Sequence, residues 1–387
     1  MRQILRIAGP FLMIVLVAIG FVQLDPLAVL RGNAPPVEKL TIELAQINQG
    51  ELKLRLRAES SEAMSVAQVQ VDGAYWKFEQ TPPGPLSRLR TAWITMNYPW
   101  VQGESHHITV LTNTGATFDY AIDVAMSTPD PASSLGWFLG LIGLFVGMVP
   151  VTLGMLFFPA LRAAGPGIMA FVLALTMGLL AYLFVDTLSE AQDLAEKSAE
   201  TLSIRKVVWL VALVTAVGLF MIGRRLGAGS GNGRGPAMLA CAIALGIGLH
   251  NFGEGLAIGG AFASGAVTLG SFLVIGFTLH NITEGIGIVA PLTDQRPDLL
   301  MLCGLSALAG LPAVLGLWVG VQAFSTHWAA IALAVGAGAI LQVLIEVGLL
   351  IQRRYLDSAA PQPLSSLLAG GVLGLVLMYS TSLIVTV

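Results

Sequence analysis

"LHNFGEGLAIG" fills residues 249–259 and "LHNITEGIGIV" fills residues 279–289. Each sits in a run apolar enough to cross a bilayer as a helix, which takes about 20 residues. A basic or aspartate side chain at the centre of such a helix costs roughly 2.5–3.5 kcal/mol, and a glutamate is comparable. The two runs, 236–264 and 269–292, contain no lysine or arginine to offset Glu254 and Glu284. Something else must satisfy them: protonation, water in a cavity, or a bound cation.

Spacing favours the cation. Residues i and i+4 share a helix face, so His250 stacks over Glu254 and His280 over Glu284. Asn251 and Asn281 lie about 100° round from the histidines. Imidazole, carboxylate and amide oxygen together make a ligand set for a borderline divalent ion. The loop between the runs centres near Val267, about 15 residues from either motif. At about 1.5 Å per residue, both copies then lie about 22 Å from that loop, level with each other near mid-membrane. Two carboxylates match the charge of one divalent ion. A glycine follows each glutamate, at 255 and 285; small residues let membrane helices approach closely.

The rest of the chain has a membrane character too. Of 387 residues, 55% are hydrophobic and only 11% charged, against about 25% charged in soluble domains. Nine runs are long enough to span: 4–24, 134–161, 167–190, 207–223, 236–264, 269–292, 299–321, 329–353 and 365–387. The net charge of −3 gives no reason to expect a nucleic-acid partner. Cys241 and Cys303 both fall in apolar runs, which suits neither a disulfide framework nor thiolate ligation.

Residues 35–130 alternate apolar and polar residues with period two, as in "ELKLRLRAE" and "RTAWITMNYPW", with turn clusters such as "TPPGP" between the runs. That pattern predicts an immunoglobulin-like β-sandwich. Three parts are expected: a membrane anchor (or cleaved signal peptide) over 1–30, the β domain over 31–130, and an eight-helix domain over 131–387. The overall class is a polytopic α-helical membrane protein carrying a β domain.

Basic residues set the orientation. Arg2, Arg6, Arg162, Arg224, Arg225, Arg234, Arg296, Arg353 and Arg354 fall on one side of a nine-helix count. Only Lys197, Arg205 and Lys206 fall on the other. The first side is read as cytoplasmic, which puts the β domain and the C-terminus outside, with the chain in the cell membrane.

H-N-x-x-E-G on two successive helices resembles the ZIP family of divalent metal transporters, over about residues 134–387. The resemblance implies eight core helices and transport of zinc, or of iron, manganese or cobalt, toward the cytoplasm. It also implies a primary metal site of His250, Glu254, His280 and Glu284, with Asn251 and Asn281 facing an adjoining second site. Two departures stand out: Gly253 and Thr283 replace the usual prolines, and Leu311 replaces the usual sixth-helix glutamate before Pro312. One bound ion is therefore expected rather than two.

Further polar residues suggest a route. Asp186 and Glu190, one turn apart near the outer face, resemble the family's entrance, or are simply solvated at a helix end. Gln342 and Glu346 share a face of the seventh core helix, either on an exit path or with Glu346 paired to Arg353 or Arg354. His106 and His107 are neighbours in an expected strand and so point to opposite faces, a poor chelate. His327, beside Trp328, is expected at the interface.

The metal is cargo, and no cofactor is expected. No enzyme activity is expected either: the H-E-x-x-H of a zinc protease is lacking, as is the G-x-x-x-x-G-K-[ST] of an ATP-driven pump. The alternative function is a membrane metal sensor or receptor that uses the β domain. A homodimer and an unidentified partner of the β domain complete the expectations.

Overall fold

The computed structural model describes residues 37–122, 135–196, 203–227, 235–263, 267–323, 325–357 and 363–385, with Met13, Val17, Val124, Ala125, Ser127, Thr128 and Ser198. The anchor read at 4–24 lies outside the described residues, Met13 and Val17 apart.

Among the described residues, eight helices are long and apolar enough to cross a membrane: α1 (Trp137–Ala163), α2 (Pro166–Glu196), α3 (Ile204–Arg225), α4 (Pro236–Ala263), α5 (Leu269–Leu292), α6 (Leu299–Val321), α7 (His327–Leu356) and α8 (Leu364–Leu383). The run at 207–223, the shortest in the sequence, gains a turn at its start and ends on Arg224 and Arg225. The helices pack as two groups. In one, α4 packs along α6, α1 along α5, and both pairs touch; in the other, α2 packs with α7 and α8, and α3 with α7. The groups meet chiefly where α4 crosses α7.

The motif glycines make the first group tight. A Cβ on Gly255 would run into the Ala313 carbonyl of α6, and one on Gly285 into the Val151 carbonyl of α1. Close backbone approach is what small residues give membrane helices, so these glycines have a packing role at the site. Gly285→Ala should destabilise the protein by about 1–3 kcal/mol, the usual cost of overpacking. Thermal unfolding in detergent checks this, and an unchanged midpoint would remove the packing role.

Ahead of the helices lie two four-stranded antiparallel sheets, with strand orders β1-β2-β6-β5 and β4-β3-β7-β8. The strands are β1 (Leu40–Asn48), β2 (Glu51–Ala58), β3 (Val66–Val71), β4 (Ala74–Trp76), β5 (Phe78–Thr81), β6 (Thr91–Asn97), β7 (His106–Thr112) and β8 (Thr117–Ile122). Period two decides which side chains turn inward: Leu52, Leu54 and Leu56 of β2 are buried while their neighbours are not. They share one core with Ile94 of β6, Val69 of β3 and Ile108 of β7. Each fully buried side chain of this kind stabilises the domain by about 1.5–3 kcal/mol. Asp72 (φ 53°) and Gly73 (φ 79°) turn β3 back on β4 within one sheet, and the chain crosses to the other sheet between β4 and β5.

Asp72 also ties the sheets together. It accepts hydrogen bonds from Tyr98 OH (2.8 Å) and the His107 N–H (2.8 Å), and meets His106 Nδ1 at 2.8 Å. Burial opposes ionisation of Asp72, but the bonds from His107, His106 and Tyr98 outweigh it and hold the carboxyl below its usual range. Burial, and then Asp72, push the Tyr98 hydroxyl from 10.0 up to about 12. The Asp72 contribution is therefore present above 3.8, the unfolded value, and lost as pH falls through the lower folded one. The Tyr98 contribution is present below 10.0 and lost as pH rises toward about 12. Hydrogen exchange of the β strands in the intact protein should show both losses. Asp72→Asn should blunt the acid one and Tyr98→Phe the alkaline one; limbs unaltered in both variants would contradict this.

Two contacts fix the relation of loops to ends. His327 Nδ1, at the start of α7, lies 4.0 Å from Glu43 of β1. Arg354, at the far end of α7, lies 2.6 Å from Asp294, just past α5. The β domain thus packs on the end of the bundle where α7 begins and α2 finishes.

Candidate metal centre

The two motifs converge. His250 Nε2 lies 3.1 Å and His280 Nε2 2.6 Å from the same oxygen, Glu254 Oε1. One ligand atom from each of the three residues falls within 4.8 Å of the others, and all three residues are buried. The i, i+4 spacing on α4 supplies His250 with Glu254, and α5 delivers His280 across the helix pair. The imidazole rings are 6.4 Å apart, centre to centre.

The asparagines are held by backbone that the sequence did not single out. Asn251 Nδ2 donates to the Ala309 carbonyl of α6 at 3.0 Å, and Asn281 Nδ2 to the Val146 carbonyl of α1 at 3.0 Å. Val146 sits in a π-helical turn, Leu144–Met148, a rare geometry often found at functional sites. Ala309 lies three residues before Pro312, whose missing N–H loosens the ladder of α6. Asn281 Nδ2 also donates to Glu254 Oε2 at 3.2 Å, which fixes the carboxylate.

Glu284 is placed differently from Glu254. It is buried but does not join the His250–Glu254–His280 group. With His280 and Thr283 it lines a small cavity of about 10 Å³, closed by Thr176 and Leu180 of α2 and Met378 of α8. Both its carboxylate oxygens lack a hydrogen-bond partner, as do the Oδ1 atoms of Asn251 and Asn281. A buried oxygen without a partner is costly, and buried charges are normally paired or coordinate metals. Four such atoms beside two imidazoles form a donor set suited to a cation.

The other expected residues lie on α2, on α7 and in the β domain. Asp186 is exposed on α2, within electrostatic reach of His280, His250 and Glu254. Glu190, one turn on, lines a larger cavity beneath the β domain. Gln342 and Glu346 are buried on α7, 3.4 Å apart. Arg354, one of the two cations considered for Glu346, meets Asp294. His106 is buried and His107 exposed, on opposite faces of β7, and His107 lies 3.3 Å from Asp119. His327 meets Ser325 Oγ at 2.7 Å and packs on Trp328.

No protein-family model matches the chain, and no curated protein resembles it closely enough in sequence to count as a match.

Proposed function

We propose that this protein is a ZIP-like secondary transporter that carries a divalent transition metal, zinc first, across the membrane into the cytoplasm. The observation that carries this reading is the convergence of His250, Glu254 and His280 on one point between α4 and α5. Imidazole suits zinc, and iron(II), manganese and cobalt follow by ligand type. The positive-inside rule assigns the cytoplasm to the end bearing Arg162, Arg224, Arg225, Arg353 and Arg354. The β domain then lies outside. Its strand orders correspond to the ABED and CFG sheets of a constant-type immunoglobulin domain with one added strand, which supports an immunoglobulin-like class.

On this reading the metal exchanges its waters for the two imidazoles and the Glu254 carboxylate, while Asn281 holds that carboxylate in place. Asp186 and Glu190 lie on the approach, and Gln342 and Glu346 on the departure. Zinc uptake into proteoliposomes tests the proposal: the intact protein should fill the vesicles, and Glu254→Gln should not. Equal uptake by the two would remove the site. Metal analysis of the purified protein should find one tightly held zinc per chain, lost in the Glu254→Gln variant.

A further inference from the structure

We infer that the β domain forms the outer wall of the passage by which the cation reaches the site, an inference that rests on the transport reading above. A cavity of about 580 Å³ separates β1 and β8 from the ends of α2, α4 and α5. At about 30 Å³ per water, it has room for a divalent ion with a full hydration shell.

Its floor is made by the helices that furnish the metal centre. Ala257 lines it one turn from Glu254 on α4, and Leu273 two turns from His280 on α5. Glu190 lines it one turn from Asp186 on α2, and Asp186 is in electrostatic reach of the centre. Three helices thus lead from this one compartment to the same buried point.

The opposite wall belongs to the β domain. Asp119 and Ala121 of β8 line it, with Thr41 and Glu43 of β1. Among the described residues no lysine or arginine lines it, whereas three carboxylates do: Glu43, Asp119 and Glu190. Glu43 is held within its own sheet by Arg55 (3.1 Å) and Arg57 (2.5 Å). Asp119 is more than half exposed, with His107 at 3.3 Å. A cleft of one charge sign between low-dielectric walls concentrates the opposite ion. In this arrangement the β domain narrows the entry and adds the Asp119 carboxylate to that of Glu190.

The test uses the full chain in a Cys241→Ser/Cys303→Ser background. Ala121, exposed on β8, is changed to cysteine and labelled with a bulky uncharged thiol reagent in detergent, before reconstitution. Initial zinc uptake should fall about tenfold on labelling, while zinc binding measured in detergent stays as it was. Independently, Asp119→Asn should raise the zinc concentration for half-maximal uptake severalfold at low salt, with the difference fading near 1 M, where the screening length is about 3 Å. A fully labelled chain that transports like the unlabelled one would overturn the inference, and an Asp119→Asn variant that shifts nothing would overturn its electrostatic part. Glu254→Gln, run alongside, separates the failures: its inactivity beside a label-insensitive chain sinks the passage alone, and its full activity sinks the metal centre.

Discussion

Zinc binding should weaken by at least about 100-fold in Glu254→Gln, since changing even an outer-shell partner of a metal ligand typically costs 10–100-fold. Uptake should disappear with it. Glu254 is the hub of the site: both imidazoles address its Oε1, and Asn281 holds its Oε2. The glutamine conserves shape but presents a neutral oxygen and an N–H₂ where the metal needs an anion. Competition with a chromogenic zinc chelator measures the affinity, and the size-exclusion profile in detergent shows whether the fold persists. A well-folded variant with unaltered affinity would move the cation elsewhere.

Glu284→Gln is expected to behave differently, although the two glutamates occupy equivalent motif positions. Glu284 stands apart from the three-residue group, with neither oxygen accepting a hydrogen bond. Removing its charge should leave zinc affinity within about tenfold, since it is not among the converging ligands and acts at the range of an outer-shell group. Uptake should nevertheless fall by about tenfold or more, because a travelling ion must next meet a donor, and Glu284 and the two asparagines offer buried oxygens without hydrogen-bond partners. Chelator competition and proteoliposome uptake on the same preparation separate the two effects. Equal loss of affinity in Glu254→Gln and Glu284→Gln would instead favour a four-ligand primary site.

That difference between the glutamates was not legible in the motif. H-N-x-x-E-G repeats, and helical periodicity correctly puts His250 over Glu254 on one face. The packing partners of each copy are not repeated: α4 lies against α6 and α7, α5 against α1 and α8. Those neighbours decide that His280 reaches across to Glu254 while Glu284 turns toward Thr176 and Met378. The backbone acceptors of Asn251 and Asn281 were likewise out of reach, because a carbonyl carries no sequence signature. Only the π turn at Leu144–Met148 and Pro312 leave a trace of them.

The eight described helices were legible because a 20-residue apolar run has few other uses; their ends fall within a few residues of the runs read, except that α2 continues six residues further, to Glu196. The β domain was legible in its alternation but not in its pairing. Period two fixes which face of a strand is buried, as Leu52, Leu54 and Leu56 illustrate, and is silent on which strand lies beside it. The Asp72–Gly73 turn is a hairpin signal that pairs β3 with β4, whereas the crossing to the other sheet between β4 and β5 leaves no mark in the alternation. The compartment beneath β1 and β8 depends on how two independently patterned regions dock, which no local pattern encodes.

X-ray absorption at the zinc edge, on the intact protein loaded with one zinc per chain, addresses the convergence of His250, Glu254 and His280 most directly. A nitrogen and oxygen shell at about 2.0–2.2 Å is expected, with the outer-shell scattering of two imidazoles halved in His250→Ala and in His280→Ala. A sulfur shell near about 2.3 Å, or imidazole scattering that neither substitution alters, would place the metal away from this pair of helices.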